Sequence, residues 1–224
     1  ARYPGRRGAH LRRDAGRPHG ASRPYPAPSR AAFRVSGAAT FHVKQVTRRA
    51  PLSPEEFGHL TGVSAACLSR LETLVAMLVE WQRRVNLVST ASLADVWRRH
   101  LLDSAQLHGL LPATAGTVVD LGSGAGFPGL VLAIMGGPTV HLVESNGRKC
   151  AFLDAVNRAT EAGAVIHNAR LADLEPLTAD VVTARAFAPL PRLLEAAQPL
   201  LAEGGQCLFL KGRKVNEELT ESAK

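Results

Sequence analysis

The chain has 224 residues, a formal net charge of +8 and 46% hydrophobic residues, enough for one substantial domain with an appendage. No apolar run approaches the roughly 18 residues that a membrane span requires, and the three cysteines lie far apart without the C-x-x-C spacing of a zinc site. The composition therefore predicts a soluble protein of a reducing, cytoplasmic compartment with no bound metal.

The basic charge is concentrated at the N-terminus. Residues 1–50 contain 12 Lys and Arg and one acid, a net charge of +11, whereas residues 51–224 contain 15 basic and 18 acidic residues, a net charge of −3. This Pro- and Gly-rich segment has no hydrophobic period and predicts a disordered tail. The tail is interpreted as an RNA-contacting arm, a transit peptide or a non-native segment; we favour the last, because the chain begins at Ala1 without Met.

Helices are predicted for the segment that follows the tail. The run Ser53-Pro54-Glu55-Glu56 is a capping box with proline at the first helical position, and predicts a short helix ending at Gly62. Ser64 opens a longer helix, and a third is expected to start after Ser92 and end before Pro112. The second helix has apolar residues at the spacing of a single buried face: Leu68, Leu71, Leu74, Val75, Leu78 and Val79.

From Thr117 onward, short apolar runs alternate with helical stretches, the pattern of an α/β fold with a parallel sheet covered on both faces. We therefore expect a helical cap over 51–112 and a Rossmann-like domain over 113–224. The predicted strands are 117–121, 139–143, 164–167, 180–184 and 206–210. Helices are predicted at 148–162 and 189–202, with a turn at Gly204-Gly205. A ligand site is expected at the carboxyl ends of the strands, in the loops after Leu121, Val143, His167 and Ala184.

A glycine-rich run after the first strand predicts a nucleotide or nucleoside cofactor site. Residues 124–129 match the G-x-G-x-x-G pattern of dinucleotide-binding proteins, and residues 120–126 match the D-x-G-x-G-x-G loop of S-adenosylmethionine-dependent methyltransferases. In both interpretations Glu144, at the end of the second strand, binds ribose hydroxyls. The loop and Glu144 therefore do not discriminate between a dinucleotide and S-adenosylmethionine as the cofactor.

Four further segments are more specific than the glycine loop. They are Trp81-Gln82-Arg83-Arg84-Val85-Asn86-Leu87-Val88-Ser89, Arg99-His100-Leu101-Leu102-Asp103-Ser104, Ala184-Arg185-Ala186-Phe187-Ala188 and Leu210-Lys211-Gly212. In this order they resemble the guanine-N7 methyltransferases of bacterial small-subunit ribosomal RNA, the family formerly called glucose-inhibited division protein B. The resemblance covers about residues 53–219.

The resemblance implies a class I S-adenosylmethionine-dependent methyltransferase sheet with an N-terminal helical extension. The last two strands of the family's seven-stranded sheet would lie beyond Lys224, and we expect a chain without them to be of low stability. The implied activity is methyl transfer from S-adenosyl-L-methionine to N7 of one guanine in 16S ribosomal RNA or the 30S subunit, giving 7-methylguanosine. We expect a cytoplasmic monomer.

The resemblance also implies site residues. The cofactor contacts carried over by position are Gly122, Phe127, Leu171, Ala172 and Arg185. At Ala172 the family often has an acid, so only a backbone contact with adenine is expected there. Gly124, from the glycine loop, and Glu144 complete the predicted cofactor set.

Methylation of guanine N7 requires no catalytic base, because its lone pair lies in the ring plane and carries no proton. Arg185 and Lys211, at the ends of neighbouring strands, are therefore predicted to act by positioning an RNA phosphate or the methionine carboxylate. His100 is interpreted as a structural, hydrogen-bonded residue. Phe187 either stacks on the target base or packs beneath its loop.

Two other functions are kept as alternatives. One is a non-catalytic RNA-binding or ribosome-assembly factor that retains the fold, and the other is a nicotinamide-dependent oxidoreductase, favoured only by the shifted glycine register.

Overall fold

The computed structural model describes residues 50–185 and 187–212. The tail predicted over residues 1–50 lies outside them, apart from Ala50. Within the described part of the chain, no helix has both the length and the hydropathy of a membrane span.

The first two helices have the predicted caps. Helix α1 spans Pro54–Thr61, and the Ser53 hydroxyl accepts from the Glu56 backbone N–H while the Glu56 carboxylate accepts from the Ser53 N–H. It ends at Gly62, whose φ of 69° is in the left-handed region. Helix α2 spans Ala65–Trp81 and is capped by the preceding serine. The local capping rules therefore predicted both starts correctly.

The buried face of α2 is narrower than predicted. Three leucines on it have no exposed surface: Leu71, Leu74 and Leu78. The prediction was wrong for Val79, which is 44% exposed, because the following residue in a helix is rotated about 100° from Leu78. Cys67 is buried on this face instead.

The predicted third helix is divided. Ser89, rather than Ser92, caps a short helix α3 at Thr90–Leu93, with its hydroxyl accepting from the Ser92 N–H. A π-helical turn follows at Trp97–Leu102 and leads directly into α4 at Asp103–His108. Two serines three residues apart offer alternative caps, and the sequence pattern selected the wrong one.

The rest of the described chain forms a five-stranded, fully parallel sheet and the helices that connect its strands. The strand order is β3-β2-β1-β4-β5. This sheet confirms the predicted α/β fold. The strands are β1 Thr117–Leu121, β2 Thr139–Glu144, β3 Val165–Asn168, β4 Ala179–Arg185 and β5 Leu201–Leu210. The connecting helices are α5 Gly129–Met135, α6 Gly147–Thr160 and α7 Leu190–Ala197.

The sheet has a core on each face. One cluster joins the N-terminal helices, α5 and α6 to the sheet, and includes Phe57, Leu71 and Phe152. The other lies beneath α7 and includes Leu121 and Leu193. The helices of 51–112 thus share one core with the sheet and with α5 and α6.

The last strand differs from its prediction. Helix α7 ends at Ala197, and β5 begins at Leu201, where it pairs with Ala179. The register then shifts, so that Val181 pairs with Gln206. Gly204, with a φ of 76°, lies in this irregular part of β5. The two glycines therefore form a bulge inside the strand, not a turn before it.

At the carboxyl edge, Leu121 of β1 pairs with Val143 of β2 and with Ala184 of β4. The strand order reverses at β1, because β2 and β3 lie on one side of it and β4 and β5 on the other. This is the position at which open α/β sheets bind ligands, in the crevice between the diverging loops.

Candidate functional site

The loop after β1 has a backbone that only glycine adopts without strain. Gly122, Gly124 and Gly126 have φ values of 65°, 58° and 86°. The Ser123 N–H donates to the Val143 carbonyl at 3.0 Å, which holds the loop against the end of β2. The loop therefore presents backbone, without side chains, at the crevice.

Asp120 supports this loop from below. It has no exposed surface; its Oδ1 accepts from the Thr183 hydroxyl at 2.9 Å and its Oδ2 from the Gly129 N–H at 3.2 Å. Burial raises the pKa of Asp120 to about 6, and the Thr183 hydrogen bond opposes that rise. Asp120 thus joins β1, β4 and the start of α5, a role that the motif pattern did not reveal.

Glu144 connects the loops after β1 and β2. It is 8% exposed, and its two carboxylate oxygens accept from the Gly124 N–H at 3.0 Å and the Asn146 N–H at 2.8 Å. Each oxygen keeps a lone pair for a further donor. The structure therefore places the predicted ribose acceptor at the crevice and orients it by backbone bonds.

A cleft of about 470 Å³ lies above this edge of the sheet. Three of the predicted cofactor residues line it: Gly122, Glu144 and Leu171. Lys149 and Phe187 also line it. Its size, exposed glycine backbone and buried acid are those of a small-molecule site with a few convergent polar groups.

The other predicted cofactor residues lie elsewhere. Ala172 is exposed in the short 3₁₀ turn Leu171–Asp173, outside the lining of the cleft. Gly124 contributes its N–H to Glu144. Phe127 is only 3% exposed, and Arg185 lines a second cavity.

Phe187 covers part of the glycine loop. A Cβ added at Gly122 would lie 2.4 Å from the Phe187 Cδ2 atom. With the Phe187 ring in this place, only glycine fits at position 122. The ring is nevertheless 42% exposed. The Lys211 ammonium donates to the Ala188 carbonyl at 3.0 Å, which ties the loop to the end of β5. Phe187 therefore packs on the loop while part of it stays exposed at the cleft.

The second cavity, of about 750 Å³, lies between the helical segment and the ends of β4 and β5. Its lining includes both predicted positioning cations, Arg185 and Lys211, together with Arg99, His100 and Asp103. Burial raises the pKa of Asp103, and the neighbouring arginines oppose the rise. The cavity thus combines three basic side chains with one carboxyl group.

Arg185, His100 and Phe127 form a compact cluster at the wall of this cavity. The His100 ring stacks on Phe127 with centroids 4.8 Å apart, and the Arg185 Cζ lies 5.0 Å from the Phe127 centroid. The Arg185 Nη1 donates to the Arg99 carbonyl at 3.3 Å and is hydrogen-bonded to the His100 Nδ1. Sequence reasoning missed this cluster, because its members are up to 85 positions apart.

His100 is only partly satisfied. Burial, reinforced by the charges of Arg185 and Arg99, lowers the pKa of His100 to about 4, so its ring is neutral at physiological pH. Its Nε2 is buried and has no hydrogen-bond partner within the described residues. His100 thus has a hydrogen bond through Nδ1 and a stacked ring, the contacts expected of a structural, hydrogen-bonded residue.

Comparison with known proteins gives one family. Residues 67–224 match the family model described as rRNA small subunit methyltransferase G. A protein of Paramagnetospirillum magneticum named ribosomal RNA small subunit methyltransferase G is 58% identical over 173 residues, covering 77% of this chain and 84% of the relative. A Rhodospirillum rubrum protein of the same name is 56% identical over 171 residues, covering 76% and 85%.

Solved structures are more distant. A ribosomal protein L11 methylase from Lactobacillus delbrueckii subsp. bulgaricus has 20% identity and a TM-score of 0.44, covering 54% of this chain and 66% of its own. An S-adenosylmethionine-dependent O-methyltransferase from Thermotoga maritima has 15% identity and a TM-score of 0.47, covering 66% and 54%.

Proposed function

This chain belongs to the rRNA small subunit methyltransferase G family, and we propose that the atom it methylates is N7 of one guanine in 16S ribosomal RNA. The chain is an S-adenosylmethionine-dependent rRNA methyltransferase with a class I fold. Family membership does not favour a non-catalytic RNA-binding factor or a nicotinamide-dependent oxidoreductase.

One juxtaposition carries the proposal. Phe187 lines the cleft above the glycine loop, and Arg185, two residues earlier, lines the cation-rich cavity. A nucleoside cofactor in the cleft and an RNA nucleotide in the cavity would therefore meet at the loop after β4. Both sites lie at the carboxyl ends of the strands, around β1, where the strand order reverses.

The cleft residues fit the cofactor. Gly122 offers backbone without a Cβ, Glu144 offers carboxylate lone pairs to ribose hydroxyls, and Leu171 offers an apolar surface to the adenine ring. When bound, S-adenosyl-L-methionine supplies an electrophilic methyl carbon on its sulfonium. These residues hold the nucleoside and set the direction in which that carbon faces.

The remaining task of the chain is alignment. Guanine N7 attacks without losing a proton, so no residue has to act as a base. Holding two reactants in line contributes up to roughly 7–11 kcal/mol to lowering a barrier. Arg185 and Lys211 bind anionic oxygen near the reacting base, and the exposed face of Phe187 stacks on it.

The finer organisation is also proposed. The helical segment 51–112 forms the roof of the RNA-binding cavity, and 113–224 forms the cofactor-binding domain. The enzyme acts in the cytoplasm as a monomer, on 16S RNA either free or in the 30S subunit. Size-exclusion chromatography and the choice between naked RNA and 30S subunits as substrate test these points.

The direct test measures transfer of labelled methyl from S-adenosylmethionine to unmodified 30S subunits and to naked 16S RNA, followed by nucleoside mass spectrometry. The expected product is 7-methylguanosine at one position. Label in another nucleoside, or no transfer by a folded sample that binds cofactor, would overturn the proposal.

Two controls sharpen the test. S-adenosylhomocysteine, but not NAD, should raise the melting temperature, by the equivalent of about 2.7 kcal/mol at 100 times its Kd. R185A should lower transfer at least about tenfold, whereas R158A removes a surface arginine paired with Asp154 and should not.

A further inference from the structure

Arg185 donates its two hydrogen bonds to neutral acceptors. One is the Arg99 carbonyl and the other is the His100 Nδ1. The ion pairs within the described residues are Arg98–Asp95 and Arg158–Asp154, and neither includes Arg185. Asp120 and Asp103 act on Arg185 only at longer range. The guanidinium is therefore fixed in place, and no carboxylate of the described residues is in contact with it.

His100 can fix Arg185 only as a neutral ring. An imidazolium would place an N–H, not a lone pair, toward the guanidinium and would bring two cations into contact. The lowered pKa of His100 agrees with a neutral ring. Since Nδ1 accepts, the ring proton must be on Nε2, which is buried without a partner in the described part of the chain.

The local backbone and packing define the position of this ring. Arg99 and His100 are adjacent residues of the π-helical turn Trp97–Leu102, a helix type that is rare and frequent at functional sites. That turn provides both acceptors for Arg185 from one segment. Stacking on buried Phe127 then limits the rotation of the imidazole.

We propose that His100 is a positioning residue that holds Arg185 through a neutral contact and so presents its charge to an anionic oxygen group of the ligand. This inference deepens the proposed function and rests on it. The anionic group is either the methionine carboxylate of the cofactor or a phosphate of the RNA. A carboxylate in place of His100 would hold Arg185 equally well but would neutralise it, whereas histidine holds it and leaves its charge available.

The test compares H100N with H100D. Asparagine and aspartate have the same shape and place an oxygen acceptor near the position of Nδ1, but only aspartate carries charge. H59D introduces the same change at an exposed position of α1 and serves as the control. For each variant, urea unfolding checks the fold, and methyl transfer gives kcat and KM for RNA.

Binding measurements separate the two anion sources. Calorimetry with S-adenosylhomocysteine reports the ligand with a carboxylate, and 5′-methylthioadenosine reports the same nucleoside without one. If Arg185 binds the carboxylate, H100D weakens S-adenosylhomocysteine at least tenfold more than H100N does and leaves methylthioadenosine unchanged. If it binds phosphate, H100D instead raises KM for RNA at least tenfold relative to H100N.

Equal effects of H100N and H100D on binding and turnover would overturn the proposal, as would an equal effect of H59D. If H100D fails to fold, H100Q is compared with H100N instead. The glutamine amide reaches the position of Nε2 and leaves Arg185 without its acceptor. A tenfold loss in H100Q relative to H100N supports the proposal, and equal values overturn it. Ligand binding is measured without methyl transfer, so failure of the proposed N7 chemistry is seen separately.

Discussion

Two glycines at equivalent places allow the packing around the site to be tested. Gly129 is the first residue of α5 and Gly147 is the first residue of α6, and each helix follows a strand of the sheet. G129A and G147A therefore make the same chemical change at the same helix position. Any difference in the free energy of unfolding comes from the surroundings.

The surroundings differ sharply. A Cβ at Gly129 would lie 2.5 Å from the Leu142 Cδ2 and 2.7 Å from the Asp120 Oδ2, and neither side chain has any exposed surface into which to move. A Cβ at Gly147 would lie 3.6 Å from the nearest atom, the Asn168 Nδ2, an ordinary van der Waals distance.

We expect G129A to lower the free energy of unfolding by about 2–3 kcal/mol. Overpacking costs about 1–3 kcal/mol, and displacement of Asp120 weakens its hydrogen bond with the Gly129 N–H, worth about 1 kcal/mol. The gain in helix propensity, at most about 1 kcal/mol, offsets part of this. G147A has only that gain and should be neutral or slightly stabilising.

Urea unfolding followed by circular dichroism measures both variants. With a slope of about 2 kcal/mol/M, G129A should lower the midpoint by about 1 M relative to G147A. G129A should also weaken the binding of S-adenosylhomocysteine, since Asp120 supports the glycine loop. Midpoints within about 0.2 M of each other would show that this region has room for a methyl group, and the packing argument would be wrong.

Three further predictions concern Glu144, the buried histidine and the helical core. E144Q places an amide N–H₂ against one of the two backbone donors of Glu144, so S-adenosylhomocysteine affinity should fall about tenfold by calorimetry. An unchanged affinity would contradict the role of Glu144 in connecting the two loops. Because the pKa of His100 is lowered from 6.5 to about 4, the unfolded chain binds this proton first, and stability is lost as pH falls from 6.5 to 4. H100N should remove about 3 kcal/mol of that pH dependence in urea titrations at the two pH values, and an unaltered dependence would refute the assignment. L78A should cost about 2–5 kcal/mol, and V79A less than about 0.5, because the first side chain is fully buried and the second is 44% exposed; similar losses in urea unfolding would contradict the helix orientation.

Much of the scaffold follows from short-range rules. The capping box at Ser53, the alternation of strands and helices after Thr117, and the glycine loop each depend on residues close in sequence. The position of the cleft also follows from the order of strands and helices in the sequence, because parallel strands align their carboxyl ends. Gly122, Glu144 and Leu171 lie at its lining. The first and last of these were implied by the family resemblance and Glu144 by the end of the second strand, and their binding of the cofactor stays a prediction.

Other features depend on packing between distant segments. The bulge in β5 is required by its pairing with β4, and the π-helical turn Trp97–Leu102 carries no sequence signal distinct from an α-helix. The contact of Arg185 with His100 joins residues 85 positions apart. The amino-acid sequence by itself determined the α/β scaffold and the crevice, because periodicity and turn chemistry are local. Only the tertiary structure decided that Arg185 is held by a neutral histidine, since burial and the distance between remote side chains arise when the segments pack together.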